Sequence, residues 1–285
     1  MIVVTGASGQ LGRLVVQNLL ARGVPAGEIV AAVRNPAKAA DLAASGVQVR
    51  EADYTKPATL AAAFAGARKL MLVSSSEVGQ RAAQHAAAIE AAKAARVGLV
   101  AYTSILRAPT SKIDLAVEHR ETEAMLKASG LPHVLLRNGW YTENYTGSLG
   151  AALAHGVVLG AAGSGRISAA ARADYAAAAA AVLVREGEAG KVYELAGDQP
   201  FTMAEFAAEV ARQSGKPVAY QNLPEAGFKA ALVGVGLPEG FAAVLAQSSA
   251  ASAQGELFEG GRQLSALIGR PTTPLAESVA AALKG

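Results

Sequence analysis

Along the chain, short apolar runs alternate with longer segments in which apolar residues recur every three or four positions. The runs Ile2–Thr5, Ile29–Arg34, Val47–Glu51, Lys69–Ser74, Leu99–Thr103 and Val134–Arg137 read as strands. Residues 10–22, 36–44, 57–65, 79–95 and 116–129 between them carry helical spacing. The strand segments are apolar at successive positions rather than at alternate ones. That is the mark of strands covered on both faces, and so of a parallel sheet between two helical layers. The pattern predicts an α/β, doubly wound fold with the simplest strand order 3-2-1-4-5-6. Its ligand crevice lies beyond the carboxyl ends of the strands, where the loops after Thr5, Val33, Glu51, Val73, Tyr102 and Arg137 converge.

Past Arg137 the rhythm changes. Residues 142–155 read as a helix, Val157–Leu159 as a short strand, and 173–186 as an alanine-rich helix beginning at Asp174. Lys191–Leu195 reads as a strand, and helices follow near 202–214, 225–233, 238–247 and 275–283. Two parts are expected: a sheet domain over 1–140, to which a strand near 191–195 returns, and a smaller, mainly helical capping lobe for substrate over 141–285.

Composition removes several function classes. With 285 residues, 52% of them hydrophobic, the chain can bury a large core. A net charge of +3 without any Lys/Arg block gives no footprint for nucleic acid. There is no cysteine, hence no disulfide, thiol catalysis or cysteine-bound metal, and the four histidines lack metal-ligand spacing. The longest uncharged apolar run, Ala176–Val184, is far too short for a membrane span, and no basic leader opens the chain. The expectation is a cytoplasmic protein with a small-molecule partner, no nucleic acid, no membrane and no bound metal; the pattern leaves its oligomeric state open.

The first dozen residues carry the strongest chemical signal. The strand Ile2–Thr5 runs into Gly6, Gly9 and Gly12, and an amphipathic helix opens at once. A strand, a tight glycine turn and a helix N-terminus bring backbone N–H groups and the positive end of a helix dipole to one point, where a pyrophosphate binds. The context makes this the start of a Rossmann-like dinucleotide site, in the Gly-x-x-Gly-x-x-Gly spacing of short-chain dehydrogenases. Position 34, at the end of the second strand, chooses the dinucleotide. NAD sites place an acid there for the ribose hydroxyls. This chain has Arg34, with Lys38 close behind, and a guanidinium pairs with the 2′-phosphate of NADP. NADPH/NADP is therefore the expected cofactor, although an Arg/Lys pair also serves as a solvated strand end, and Arg13 is as compatible with plain surface as with that phosphate.

Other strand ends offer further candidates. Asp53 suits either the adenine amino group or an Asx turn before Pro57. Ser74, Ser75 and Ser76 follow the fourth strand at the sheet's switch point, and Tyr102-Thr103-Ser104 ends the fifth. The sixth strand leads into Arg137-Asn-Gly-Trp-Tyr-Thr-Glu-Asn-Tyr145, which holds the sole Trp of the chain. Aromatic rings interleaved with amides at that position suit a flat substrate, with Trp140, Tyr141 and Tyr145 as its contacts. His119 reads more naturally as part of a helix face than as a proton donor. One absence matters as much: no Tyr has a Lys four residues on, so the Tyr-x-x-x-Lys route from alcohol to ketone is missing. A quinone accepts hydride readily and needs little beyond positioning and polarisation of its carbonyl.

Taken together, Thr5–Gly12, Val33–Lys38, Ser74–Arg81, Ala101–Ser104 and Leu136–Tyr145 resemble the NmrA-like atypical short-chain dehydrogenases, and within them the bacterial quinone-reducing branch of the second type. The similarity continues through Gly190–Asp198 and Pro271–Ser278. The Ser74–Arg81 and Arg137–Tyr141 segments are its narrowest signatures. The resemblance implies an NADPH-dependent quinone oxidoreductase. NADPH would lie along Gly6, Ala7, Ser8, Gly9, Gln10 and Leu11, with Arg34 and Lys38 at the 2′-phosphate and Ser74–Ser76 along the cofactor. Asn138, Gly139, Trp140, Tyr141, Thr142 and Glu143 would surround the nicotinamide. Asn144 matches an asparagine implicated in activity. Ser8 stands where threonine is common and Thr142 where serine is, both mild changes. Two further readings follow from the same relatives: reduction of another flat electrophile, such as a triphenylmethane dye, and a non-catalytic NADP(H)-sensing regulator.

Overall fold

A computed structural model describes residues 1–284. The first part is a strict alternation of β1 (Ile2–Thr5), α1 (Gln10–Ala21), β2 (Ile29–Val33), α2 (Ala40–Ala44), β3 (Gln48–Glu51), α3 (Pro57–Phe64), β4 (Lys69–Leu72), α4 (Arg81–Ala94), β5 (Leu99–Ile105), α5 (Ala116–Ser129) and β6 (His133–Asn138). After these come α6 (Glu143–Thr146), α7 (Leu149–His155), β7 (Val157–Gly160), α8 (Arg172–Val184), β8 (Val192–Leu195), α9 (Met203–Ser214) and β9 (Ala219–Asn222). The chain ends with α10 (Glu225–Gly234), α11 (Glu239–Ser252), α12 (Gln263–Ile268) and α13 (Leu275–Leu283).

Seven strands form one parallel sheet in the order β3-β2-β1-β4-β5-β6-β8. The expected doubly wound order is present, and β8 extends it as a seventh strand. Successive strand residues point to opposite faces, and both faces are buried. Val4, Ala31, Met71, Ala101 and Leu136 meet α1 and α8 on one side. Val3, Val30, Leu70, Leu72, Val100 and Tyr102 meet α3, α4 and α5 on the other. This two-sided burial is why the strands read as unbroken apolar runs.

Helix α8 explains the alanine run. Ala176 through Ala181 are buried, with α1 against one side and the sheet against another. A methyl side chain keeps helix propensity high while letting backbones approach closely. Thus α8 and β8, although late in the chain, belong by packing to the sheet body. Helix α12 joins them, with Leu264 and Leu267 in the same core, while the lobe is built about another core of Leu149, Phe201, Phe206, Val210, Leu257 and Val279, and β7 and β9 pair there as a small parallel sheet. Thr202 and Glu205 form a reciprocal capping box at the start of α9.

Four expectations are corrected. The helix expected over 142–155 is two short helices, α6 and α7, separated at Gly147-Ser148. The segment 36–44 begins as a 3-10 turn over Pro36–Ala39, with Asn35 Oδ1 accepting from Ala37 N–H. Helix α11 runs on to Ser252. Strand β9 and helix α12 were not expected, because each is too short to show a period.

Candidate active site

The turn after β1 has the geometry that its glycines foretell. Gly6 takes φ +58°, which only glycine adopts cheaply, and its carbonyl accepts from Gly9 N–H at 2.9 Å. Gly9 is the N-cap of α1 and supplies no side-chain cap, and no acid stands in the first turn. The opening N–H groups of α1 are therefore left for an external anion. At Gly12 the helix touches the turn: a Cβ there would overlap the Gly6 carbonyl and lie 2.9 Å from Ala7 Cα. Both contacts are backbone and cannot swing aside. Gly12→Ala is expected to cost about 2–3 kcal/mol of stability and to weaken dinucleotide binding by prising α1 from β1. Denaturant unfolding and NADPH titration check this, and an unchanged midpoint would refute the close-contact argument.

This turn forms one wall of a cleft of about 470 Å³ at the switch point between β1 and β4, lined also by Arg34, Asp53, Tyr54, Thr55, Ser74–Ser76 and Glu77. Arg34 extends into solvent at the end of β2, and its Nη1 lies 2.6 Å from Glu77 Oε1. Lys38 is exposed and outside the lining; its backbone carbonyl accepts from Arg13, which also pairs with Asp41. Asp53 keeps both of its readings: it lines the cleft, and its Oδ1 accepts from Thr55 N–H and Oγ1–H at 2.9 and 2.7 Å. Those bonds hold the carboxyl below the usual carboxylate range.

The serine loop after β4 is pinned from beneath. Ser74 N–H donates to Thr103 Oγ1 at 2.8 Å, and Ser75 N–H donates to His85 Nε2 at 3.0 Å. Arg81 Nε–H donates to Ser75 O at 2.7 Å. His85 must be neutral to accept, leaving Nδ1–H to face Thr122 Oγ1 at 2.9 Å. Burial, and then the Arg81 charge, push its pKa down to about 3. His119 is lowered too, mainly by burial. Its Nδ1 is 2.7 Å from Tyr102 Oη, and burial keeps that phenol protonated, so the phenol donates and Nε2 carries the imidazole proton.

The folded chain refuses protons that the unfolded chain takes up from about pH 6.5 downward. Stability is therefore full above that value and falls as the pH drops toward the depressed folded values. Between pH 7.5 and 5 the loss should be about 2 kcal/mol for His85, measurable as a lower urea midpoint, and His119 acts in the same direction. His85→Asn should flatten that dependence, and an equally steep loss in this variant would remove His85 from the account.

Beyond β6 the chain turns over the crevice. Arg137 holds the strand end, donating twice to Glu123 (2.9 and 2.7 Å) and once to Glu194 (2.8 Å), which ties α5, β6 and β8 together. Gly139 N–H donates to Leu195 O, and Thr142 N–H donates to Ala170 O. Glu143 accepts from Arg172 N–H at 2.9 and 3.1 Å, capping α8. Arg172 then lies over the Tyr141 ring, 4.8 Å from its centroid, and its Nη2–H donates to Asn144 Oδ1 at 3.0 Å. A guanidinium can only donate, so it fixes the amide with its oxygen toward Arg172 and its NH₂ free.

That amide borders a second cavity, of about 480 Å³, which shares Ser74–Ser76 with the first and adds Ser104, His119, Asn138, Gly139, Trp140, Tyr141, Arg172 and Phe241. The two together form one trough over the carboxyl ends of the strands. The Asn138 Oδ1 is buried there without a protein partner.

Of the residues singled out in the sequence, Gly6, Ser8, Gly9, Gln10, Leu11, Arg34, Ser74, Ser75 and Ser76 line the first cavity. Asn138, Gly139, Trp140, Tyr141 and Asn144 line the second. Ala7 is buried behind the turn, and Thr142 and Glu143 build the loop without lining either cavity. Tyr145 lines neither of these two cavities but a neighbouring one in the C-terminal lobe, with its ring 5.8 Å from Phe201 and 6.1 Å from Phe206. Tyr54, Arg172 and Phe241 were not foreseen. Arg172 stands 28 positions from the asparagine it orients, and no local spacing announces such a pair. Among the described residues no cluster of His, Asp or Glu could hold a metal ion, and no helix is long and apolar enough to cross a membrane.

Comparison with known proteins agrees with this geometry. A family profile described as NAD(P)H-binding matches residues 6–186. Quinone oxidoreductase 2 of Escherichia coli is 59% identical over 279 residues, covering 98% of this chain and 97% of that protein. The crystal structure of the NADPH-dependent quinone oxidoreductase of Escherichia coli complexed with NADPH superposes with a TM-score of 0.96 at 58% identity, covering 99% of this chain and all of the other. The Citrobacter sp. triphenylmethane reductase complexed with NADP(H) superposes at 0.94, with 41% identity over 99% of this chain and all of that one.

Proposed function

The chain belongs to the NAD(P)H-binding family, and from that premise we propose that it is an NADPH-dependent quinone oxidoreductase that reduces a small quinone in the trough described above. The observation that carries this reading is the amide of Asn144, held through its oxygen by Arg172 so that its NH₂ group is free, on the wall of the cavity that adjoins the serine loop.

The residues fit the dinucleotide. The uncapped N-terminus of α1 and the Gly12 contact make a cradle that a side chain would fill. Arg34 would meet the 2′-phosphate, Ser74–Ser76 the ribose and nicotinamide end, and Asn138–Tyr141 the nicotinamide surroundings, with the unpartnered Asn138 Oδ1 available to a carboxamide N–H. When bound, NADPH supplies the hydride. The protein's own task is then modest: to hold a flat ring against Trp140 and Tyr141, keep water out, and donate a hydrogen bond from Asn144 to the quinone oxygen as it becomes negative. In this reading residues 1–140, joined by α8 and β8, hold the cofactor, and 141–285 supply the substrate cap.

The likeness to the triphenylmethane reductase favours a second reading, reduction of another flat electrophile. One experiment separates these from a sensor that binds without turnover. Purified protein and NADPH are mixed anaerobically with benzoquinones, naphthoquinones and triphenylmethane dyes, and the nicotinamide absorbance is followed. Quinones are expected to give the highest kcat/KM. Tight NADPH binding with no oxidation by any acceptor would refute both enzymatic readings.

A further inference from the structure

Trp140, Asn144 and Leu245 are shared walls: behind them lies a third cavity, of about 310 Å³, inside the C-terminal lobe. That volume lies within the ~300–1,000 Å³ of small-molecule sites. Its lining is mostly aliphatic and aromatic, including Ala152, Val158, Phe206 and Leu257. The serine hydroxyls at its edge are bonded within the protein: Ser248 donates to Val244 O at 2.8 Å, and Ser249 accepts from Ala161 N–H at 2.9 Å. Ser148 likewise donates to Tyr145 O, so apart from His155 and the shared Asn144 the walls offer little to a polar ligand.

Helix α10 gives the independent sign that something occupies this space. Phe228, Ala231, Leu232 and Val235 recur at helical spacing along its inner side, the last just past its end, and all four face the cavity. Yet no residue of α10 is buried, and Val235 is 73% exposed. An amphipathic helix ordinarily lays its apolar stripe on a core. This one lays it on a void that opens to solvent beside Val235 and adjoins the reaction trough across Trp140, Asn144 and Leu245, while Phe241, also exposed, stands at the trough's own edge.

We infer that this cavity receives the hydrophobic side chain of the quinone, an isoprenoid or alkyl tail on the ring reduced beside Asn144. The inference rests on the quinone-reductase reading. A ring held between Trp140 and Asn144 would have one edge toward the trough and the other toward this cavity, and only an apolar substituent gains from entering it. Burial of its methylenes strengthens binding without touching the chemical step.

The test compares a dimethoxy-methyl-benzoquinone ring bearing no tail with the same ring bearing a ten-carbon geranyl tail. The tail should lower both KM and the dissociation constant at least about tenfold. Ala231→Phe, on a half-buried wall position away from the reacting groups, should erase that gain and leave kinetics with the tailless ring unchanged within about twofold. Fluorescence of Trp140, the sole Trp, reads binding independently of turnover. Equal affinity for the two rings in the parent protein, or a tail advantage that survives Ala231→Phe, overturns the cavity assignment. Tail-dependent quenching without oxidation of NADPH leaves the assignment standing and overturns quinone reduction instead.

Discussion

Asn144→Ala is expected to lower kcat for quinone reduction about 100-fold and to leave the dissociation constant of NADPH within about twofold. The asymmetry comes from when the amide acts. A neutral quinone oxygen is a weak acceptor, so the hydrogen bond adds little to ground-state binding. Once hydride arrives, the oxygen carries nearly a full charge in a site walled by Trp140 and Tyr141, and the same donor becomes worth far more. Orientation is supplied by Arg172, which stacks on Tyr141 and accepts no alternative flip of the amide. Arg172→Lys keeps the charge but loses the planar fork, and should lower kcat by about tenfold with little change in NADPH affinity. Stopped-flow measurement of the hydride step, with NADPH binding by titration, separates the two effects. A parallel loss of NADPH affinity in Asn144→Ala would move the residue from the reaction to the cofactor.

That prediction joins something legible in the sequence to something that was not. Asn144 was singled out through the family resemblance, which the loop rich in rings and amides after the sixth strand carries. The partner that aims it was invisible, because Arg172 opens a helix after a short strand and an irregular stretch, in a part of the chain whose rhythm had broken. The same contrast runs through the fold. Parallel strands buried on both faces must be continuous apolar runs, so β1 to β6 and their order could be read directly. In the lobe, β9 is Ala-Tyr-Gln-Asn and largely exposed, and pairing with β7 rather than its own pattern makes it a strand. The break between α6 and α7 falls at Gly147-Ser148, weak helix formers that a periodicity count passes over. Alanines 176–181 looked like a helix for the lobe; packing against α1, a contact far apart in sequence, returns them to the sheet body. Chemistry carried on strand ends was visible, and chemistry assembled between distant helices was not.

Arg34→Ala is expected to raise KM for NADPH about 30-fold, to leave kcat within about twofold, and barely to alter KM for NADH. At the end of β2 the chain presents a guanidinium where an NAD site presents an acid, and in the structure that guanidinium is paired with Glu77 at 2.6 Å. A 2′-phosphate carries more charge than a carboxylate and matches the fork of Arg34 equally well, so in the proposed site it would displace Glu77 from that pair. Removing Arg34 loses the attraction and also leaves the Glu77 carboxylate bare beside the phosphate, which makes the change larger than for an ordinary exposed pair. Two consequences distinguish this from general damage to the cleft. Arg34 is 69% exposed, so its preference for NADPH is screened by salt: the NADPH-to-NADH ratio should fall with ionic strength in the parent protein and stay flat in Arg34→Ala. Glu77→Gln should act in the opposite direction, lowering KM for NADPH by about two- to threefold because Arg34 no longer has a competing anion. Steady-state kinetics with both nucleotides across a salt series decides the matter, since a variant that loses NADPH and NADH equally places Arg34 in the common part of the cofactor site rather than at the 2′-phosphate.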